Sequence, residues 1–503
     1  MSAEIVRLWL VAPLLIPLAS AVLLLASGRW PRIQRGLSLA GVVALLAVNV
    51  WLFTRVLDGG ILTLQVGDWP APFGITLVVD LLSASLLVTA SLVGVCVNLY
   101  SLTDPEVQRE GFTFHPLFQF QMMGVCGIFI TGDLFNFYVW LEVTLVASFV
   151  LLVMGGRRGQ VRSAVQYLAL NILSSTLFLC AIAILYGEAG TLNMAHLAER
   201  LWLGEEAAAG PAVTVVAGLF ILALGIKAAL FPLYFWLPAA YPNPTFAVSA
   251  LFAGLLTKVG VYGLLRLFTL VFVQEVAVTH GVLWGVALLT MLSGTLGALA
   301  QRELRHLLSY QVIGHMGFMV LGLGLYTVAG LAAAVFYLVH DMLVKTALFL
   351  VAGLVRRLRG TNQLAELGGL YRDAPGTAVL FLVVGLSLAG LPPFSGFFAK
   401  LAVVMAALGS GDYLGAAVAL AADLLTLLAV AMIWNRVFWQ PLPADARGER
   451  GEPTRLEMVS VGVLALAILG LGLGAGPALL LAERIAGQLL APDAYIQAVL
   501  GEG

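Results

Sequence analysis

Apolar residues dominate long runs of this chain, and the polar residues fall mostly in short stretches between them. Each run is about twenty residues long, the length at which a helix crosses a bilayer core about 30 Å thick. The pattern therefore predicts an all-α polytopic membrane protein with about fourteen transmembrane helices. We place the spans at residues 5–26, 36–57, 74–101, 113–131, 134–154, 163–187, 211–232, 246–271, 277–300, 305–325, 328–355, 376–391 continuing to about 408, 413–438 and 456–480.

Two of these spans are interrupted by proline. In the seventh, Pro232 and Pro238 follow Lys227, and in the twelfth, Pro392 and Pro393 precede Lys400. Proline breaks the helical hydrogen-bond ladder, and paired broken spans are typical of transport sites built on inverted repeats. Since the breaks lie five spans apart, we expect two inverted five-helix repeats, although two simple packing kinks would leave the same pattern. The expected division is 1–110 (three helices), 111–275 (first repeat, helices 4–8), 276–440 (second repeat, helices 9–13) and 441–503 (a loop and the last helix).

Composition supports a membrane protein and narrows the chemistry. Of the 503 residues, 61% are hydrophobic and only 11% are charged, whereas soluble domains carry about 25% charged residues. The net charge of −1 comes without any basic block, so nothing indicates nucleic-acid binding. The three cysteines show no metal-binding spacing, and no cofactor motif is present. We therefore expect no cofactor, no metal site and no redox catalysis by this chain itself.

Arginine placement predicts the orientation of the helices, because positively charged loops stay in the cytoplasm. One set of alternate loops holds seventeen arginines: Arg29, Arg32, Arg35, Arg109, Arg157, Arg158, Arg162, Arg302, Arg305, Arg356, Arg357, Arg359, Arg372, Arg436, Arg447, Arg450 and Arg455. The other set holds five: Arg7, Arg55, Arg200, Arg266 and Arg484. The bias predicts a multi-pass protein of a bacterial or archaeal cytoplasmic membrane with both termini outside.

All four lysines, in contrast, lie inside apolar spans: Lys227, Lys258, Lys345 and Lys400. An ammonium group at mid-membrane costs about 2.5–3.5 kcal/mol on insertion scales. A lysine can give up its proton in such a place, whereas an arginine cannot. The pattern thus favours a hydrated interior through which lysines pass protons. The alternative is that they are structural partners or reach the interface, which is easiest for Lys345.

Acidic residues and histidines complete the predicted row. Glu142 is the one glutamate deep within a span, and we expect it to pair with Lys227, either as a switch or as a static salt bridge. Asp341 and Lys345 are spaced as a favourable helical pair. His315 and His340 lie nearby, and each is either a proton relay or a hydrogen-bonded core residue. The other buried aspartates, Asp80, Asp133 and Asp423, lie near span ends or inside the bundle, and Asp133 is most simply a helix N-cap.

Three phrases carry a resemblance to a known family: IKAALFPLYFWLPAAYPNPTFAVSALFAGLLTKVGVYGLLRLF, VKTALFLVAGL and LAGLPPFSGFFAKL. The chain resembles the antiporter-like subunits shared by respiratory complex I and the multisubunit Mrp cation/proton antiporters. Within that family it is most similar to the D-type subunits of Mrp, because Lys400 stands where one complex I type has glutamate and no long lateral helix follows the last span.

The resemblance implies a proton path through Glu142, Lys227, Lys258 and Lys400, with His340 and Lys345 on the eleventh helix. It also implies a transporter subunit rather than an enzyme, working with other membrane subunits of a hetero-oligomeric complex that exchanges Na+, K+ or Li+ for protons across the lipid bilayer. The residues themselves favour proton movement only, since Asp133, Asn136, Ser148 and Thr257 do not assemble into a convincing sodium site. The alternatives are a proton-pumping subunit of a complex I-like or hydrogenase-linked oxidoreductase, or an inert scaffold.

Overall fold

The computed structural model describes residues 9–109, 113–202, 211–443 and 451–501. Most of this part of the chain is helical, which confirms the predicted all-α class. Three of the counted arginines, Arg7, Arg447 and Arg450, and the first residues of the 5–26 span lie outside the described residues.

The elements follow in chain order, with helices numbered α1–α22. The first half holds α1 (Ala12–Ala26), α2 (Pro31–Gly59), β1 (Leu62–Gln65), β2 (Thr76–Val79), α3 (Leu81–Ser101), α4 (Pro105–Arg109), α5 (Phe114–Ile130), α6 (Leu134–Val153), α7 (Arg158–Ala189), α8 (Met194–Trp202), α9 (Pro211–Lys227) and α10 (Trp236–Ala240). The second half holds α11 (Phe246–Leu251), α12 (Thr257–Leu270), α13 (Val276–Leu299), α14 (Leu304–Gly324), α15 (Val328–Arg359), α16 (Leu370–Asp373), α17 (Pro375–Ala389), α18 (Ser395–Gly409), α19 (Tyr413–Ile433), α20 (Arg455–Leu473), α21 (Ala475–Leu490) and α22 (Asp493–Leu500).

Fourteen apolar crossings can be traced through the described residues. Ten helical stretches are long and apolar enough to span a membrane, and five further apolar helices are shorter. Two of the short ones, α17 and α18, follow one another directly and form the two halves of a single crossing. The crossings agree with the predicted spans, including the interruptions of the seventh and the twelfth.

Connecting segments meet at two opposite ends of the bundle, as alternating crossings require. At one end, Thr103 lies 2.7 Å from Thr454 (Oγ1 to Oγ1), and an isolated backbone β-bridge joins Glu303 to Gln363. This end also carries Arg157 and Arg357, so we call it the arginine-rich end. At the opposite end, isolated backbone β-bridges join Leu77 to Thr131 and Asp133 to Asn193. The Trp284 indole also donates a hydrogen bond to the Asp412 carboxylate there.

Polar side chains fix several helix starts. Asp80 accepts from the Ser83 amide at 2.9 Å to cap α3, and Asp133 accepts from the Asn136 amide at 2.8 Å to cap α6. The predicted N-cap role of Asp133 is therefore confirmed.

Two segments differ from the sequence prediction. Residues 76–79, which were placed inside the third span, form strand β2, and it pairs antiparallel with β1 at the opposite end. The run of β-branched and apolar residues there fits a strand as well as a helix.

The last crossing is not one helix over 456–480, since α20 ends at Leu473 and α21 continues to Leu490. Close to this break, Gly472 packs against the backbone of Pro393 and Ser395, where a Cβ would overlap the chain.

The centre of the bundle is built from α11–α12, α14 and α15. The apolar windows of these crossings are 100%, 89% and 94% buried, whereas that of α2 is 33% buried. A helix buried all round must place its polar residues against other protein groups, because no lipid-facing side remains. These three crossings carry Lys258, His315, His340, Asp341 and Lys345.

A buried ion pair fastens the opposite end of the central crossings. The Arg266 Nη2 atom of α12 lies 2.7 Å from Asp80 Oδ2, and the guanidinium stacks over the rings of Tyr262 and Tyr495. Arginine keeps its proton in proteins, so this charge needs its partner permanently.

We expect Asp80→Asn to lower the free energy of unfolding by about 3–5 kcal/mol, because it leaves a buried guanidinium without a counter-ion. Because asparagine can still cap α3, the loss of stability measures the effect of removing the negative charge and not the loss of the helix cap. Thermal unfolding of the purified assembly measures the effect. The control is Asp373→Asn, which removes the exposed partner of Arg359 and is expected to cost about 1 kcal/mol or less. Equal melting temperatures for the two variants would contradict the expectation.

Candidate proton pathway

Asp341 of α15 is the centre of a buried cluster of charges. Its Oδ2 lies 2.7 Å from the Lys258 Nζ, and its Oδ1 lies 3.2 Å from His315 Nδ1 and 3.8 Å from Lys345 Nζ. All four side chains are shielded from solvent. Lys258 and His315 contact the carboxylate at hydrogen-bonding distance, and opposite charge also draws Lys345 toward it. Lys345 points inward to this carboxylate and does not reach the interface.

Local backbone geometry brings Lys258 to Asp341. A π-helical turn at Phe252–Leu256 immediately precedes α12, and the Lys258 ammonium donates to the Ala253 carbonyl at 2.6 Å. Turns of this type often occur at functional sites. Gly254 packs against Thr346 with no room for a Cβ, so the π turn approaches α15 closely. The four-residue spacing of Asp341 and Lys345 was visible in the sequence, but the shorter contact to Lys258 depends on this packing.

Of the two histidines, His315 belongs to this cluster and His340 lies beside it on α15. His315 Nδ1 is 3.0 Å from the Tyr337 hydroxyl, and His340 Nδ1 is 2.8 Å from the Ser395 hydroxyl. The Nε2 atoms of both rings have no partner among the described side chains. Since Ser395 is the first residue of α18, His340 joins the central helix α15 to the break in the twelfth crossing.

Lys400 lies one turn beyond this break and has its own carboxylate. Its Nζ is 2.9 Å from Asp423 Oδ1 of α19, and it also lies 6.0 Å from the centre of the Phe318 ring. From the sequence, Asp423 is predicted only to lie inside the bundle or near a span end, with no role in the proton path. The available signal was an aspartate within an otherwise apolar span, and what was missing was its partner.

Lys227 ends α9 at the other break. Beyond it, the Trp236 indole donates to the Ile226 carbonyl at 2.8 Å, and the Phe231 amide donates to Thr290 at 2.9 Å, so side chains satisfy the irregular backbone. Gly260 of α12 packs directly on this break, where a Cβ would overlap the Lys227–Ala228 backbone. Lys227 also lines a cavity of ≈ 10 Å³ with Tyr167 and Asn171, which is about the space of one water molecule.

Glu142 and Lys227 are not in contact. No ion pair within 4.0 Å joins them among the described residues, and they interact only through longer-range charge. Glu142 is half-buried on α6, and its Oε1 is shielded without a hydrogen-bond partner in the described chain. The expected direct salt bridge is therefore absent from this structure.

The predicted residues thus form two contact groups and two single sites. Lys258, His315 and Lys345 surround Asp341, and Lys400 meets Asp423, with His340 next to the second break. Glu142 and Lys227 stand at the other side of α12. Among the described residues, no group of three or more His, Cys, Asp or Glu is arranged to hold a metal ion.

Comparison with known proteins gives consistent results along the chain. Residues 131–426 match the family model described as NADH:quinone oxidoreductase/Mrp antiporter, transmembrane. The chain is 41% identical over 492 residues to the D-type subunit of the Na+/H+ antiporter of Alkalihalophilus pseudofirmus, covering 98% of this chain and 99% of that one.

Solved structures agree with this match. A chain of the Mrp complex from Dietzia sp. superposes with a TM-score of 0.92 at 33% identity, covering 98% of this chain and all of that one. A chain of the membrane-bound sulfane sulfur reductase, an archaeal respiratory membrane complex, superposes with a TM-score of 0.88 at 26% identity over 98% of this chain and 100% of that one.

Proposed function

This chain belongs to the NADH:quinone oxidoreductase/Mrp antiporter family, with D-type subunits of Na+/H+ antiporters among its relatives, and we propose that it moves protons as one subunit of such an antiporter. The observation that carries the proposal is the buried row of four lysines, each at or near a carboxylate or a helix break. The similarity extends over nearly the full length of the antiporter relative, which supports the same role here.

The central cluster has the geometry of a proton switch. One carboxylate serves two lysines, and it lies 1.1 Å closer to Lys258 (2.7 Å) than to Lys345 (3.8 Å). An ammonium in an apolar interior is stable only beside its counter-ion. If Asp341 turns toward Lys345, Lys258 loses that stabilisation and gives up its proton, so small movements of one side chain direct the transfer. His315 contacts the same carboxylate and can carry the proton onward.

The two helix breaks place the terminal groups of the row. Lys227 and Lys400 sit at corresponding breaks, five crossings apart, near Glu142 and Asp423. We propose that residues 111–275 and 276–440 are inverted repeats, each contributing one broken helix, and that the row Glu142, Lys227, Lys258, His315, Lys345, His340 and Lys400 is the proton path.

The proposal also includes the orientation of the chain in the membrane and its relation to neighbouring subunits. We assign the arginine-rich end to the cytoplasm of a bacterium or archaeon and both termini to the outside. We propose that Glu142, which is half-buried on α6, is the group of the row that exchanges protons with a neighbouring membrane subunit. Sodium passes through other subunits or their interfaces.

Substitution of Lys227 by alanine tests the proposal. We expect Lys227→Ala and Glu142→Ala each to reduce Na+-dependent antiport severely, by about 100-fold, since each removes a proton-carrying group. Membrane vesicles with an acid interior report antiport as the loss of the pH difference when Na+ is added. Normal amounts of assembled complex must accompany the loss. Wild-type rates in both variants would support an inert scaffold instead.

The likeness to the sulfane sulfur reductase supports a second candidate, a proton-pumping module powered by electron transfer in neighbouring subunits. Purification of the native assembly separates the two candidates. Iron–sulfur or quinone-binding partners favour the redox-driven complex, and their absence favours the antiporter.

A further inference from the structure

A large cavity opens at the arginine-rich end, outside the row of lysines. Its volume is ≈ 500 Å³, ample for many water molecules. It lies where α3 ends, α4, α11 and α20 begin, and α15 ends. The lining residues used below are Tyr100, Asp104, Glu106, Phe246, Gly353, Arg356, Arg357 and Glu457.

Asp104 is the unusual member of this lining. Its side chain is shielded, with only 5% of the residue exposed. Oδ1 accepts a hydrogen bond from the Glu106 amide at 2.9 Å, whereas Oδ2 has no partner among the described residues. A buried carboxylate oxygen without a donor is costly as an anion, so it binds a proton or a cation readily.

The charged groups around Asp104 come from every element packed here, and two of the arginines are paired with other groups. Arg357 of α15 pairs with Glu457 of α20. Arg305 of α14 donates to the Tyr241 and Pro244 carbonyls. The titratable and charged groups that act on Asp104 or line its cavity are Tyr100, Glu106, Arg305, Arg356, Arg357 and Glu457.

Burial, and after it the negative charge of Glu106, raises the pKa of Asp104 from its ordinary value to about 7. Two guanidinium groups line the same cavity, and they would repel a metal cation. Both features favour a proton as the occupant of Oδ2.

The cavity also reaches toward the buried cluster. Gly353 lines it and stands eight residues after Lys345 on α15, which is about 12 Å along the helix. Phe246 lines it and begins the crossing that carries Lys258. Tyr100 and Phe246 pack against Gly353 with no space for a Cβ, so both side chains lie directly against α15 where it lines the cavity.

We propose that Asp104 is the group that exchanges protons between the buried row and the water at the arginine-rich end. This inference rests on the proposed antiporter function and on the cytoplasmic assignment of that end. A proton arriving from the row forms the Oδ2–H acid. The acid then gives the proton to a water molecule in the cavity, leaving the carboxylate and a hydronium ion.

Everted membrane vesicles test this directly, because the arginine-rich end then faces the medium, whose pH the experimenter sets. With the native assembly and a constant pH difference, the wild-type antiport rate is expected to rise as the medium pH rises through about 7. The sign follows because Asp104 must be deprotonated to accept a proton from the interior. Asp104→Asn keeps an acceptor for the Glu106 amide but removes the acid. It is expected to abolish this rise and to lower the rate at pH 8 by about ten-fold or more.

Two matched variants complete the test. Asp104→Glu retains the acid and should retain the rise. Glu106→Gln removes the negative charge that favours the protonated form, so the rise should move to lower pH. Superposable pH profiles for wild type, Asp104→Asn and Glu106→Gln would overturn the inference. If instead the wild-type assembly shows no Na+-dependent proton movement at any pH, the proposed function fails, which is a different result from an unchanged profile. Should Asp104→Asn fail to assemble, the position of the rise in Glu106→Gln still decides.

Discussion

Asp341→Asn is expected to stop Na+-dependent proton movement, with a fall in rate of about 100-fold or more. The carboxylate lies within 4.0 Å of two lysines and one histidine, so its removal takes the only counter-ion that the described residues offer to Lys258 and Lys345. Asparagine keeps the shape of the side chain and removes only the charge. Vesicle assays at several pH values measure the loss.

The stability of the same variant distinguishes a proton path from a structural ion pair. Lys258 and Lys345 can release their protons when Asp341 is neutral, so little uncompensated charge remains. Arg266 cannot release its proton when Asp80 is neutral, so its buried positive charge then has no counter-ion. Asp341→Asn should therefore unfold at a temperature closer to wild type than Asp80→Asn does, although both aspartates are buried. A variant that transports at more than about a tenth of the wild-type rate, or that is the less stable of the two, would contradict this account.

Much of the site could be predicted because lysine is expensive in a membrane. All four lysines were assigned to the interior from the apolar sequence around them, and all four are buried. The prolines after Lys227 and before Lys400 likewise predicted both helix breaks. Such features are local, since they depend on the residue and its neighbours in sequence.

The pairings were harder to predict because they depend on contacts between helices. Asp341 was assigned to Lys345 from the four-residue spacing, yet the π turn and Gly254 bring Lys258 closer. Glu142 was assigned to Lys227, yet no ion pair joins them within the part of the chain that the structure describes. Asp423 had no predicted partner until α18 and α19 were placed side by side. The β-hairpin at 62–79 was missed because its apolar residues also fit a helix start.

A substitution at Lys400 can distinguish a residue that only supplies positive charge from one that transfers a proton. Its ammonium lies 2.9 Å from Asp423, and the pair is less enclosed than the central cluster, since the Asp423 side chain is 18% exposed. A guanidinium can keep the ion pair there but does not release its proton at physiological pH. Lys400→Arg should therefore preserve assembly while lowering the antiport rate by about 100-fold.

The converse exchange at the other buried pair supplies the control. Arg266→Lys replaces the guanidinium by an ammonium beside Asp80, loses the stacking on Tyr262 and Tyr495, and so should lower the melting temperature while leaving antiport close to wild type. Vesicle assays and thermal unfolding of the same preparations compare the two exchanges. If Lys400→Arg transports normally, Lys400 contributes only positive charge, and the proton does not travel through it. A loss of transport in both variants would instead show that the two exchanges do not distinguish the loss of an ion pair from the loss of proton transfer. The Lys400→Arg result would then say nothing about proton transfer through Lys400.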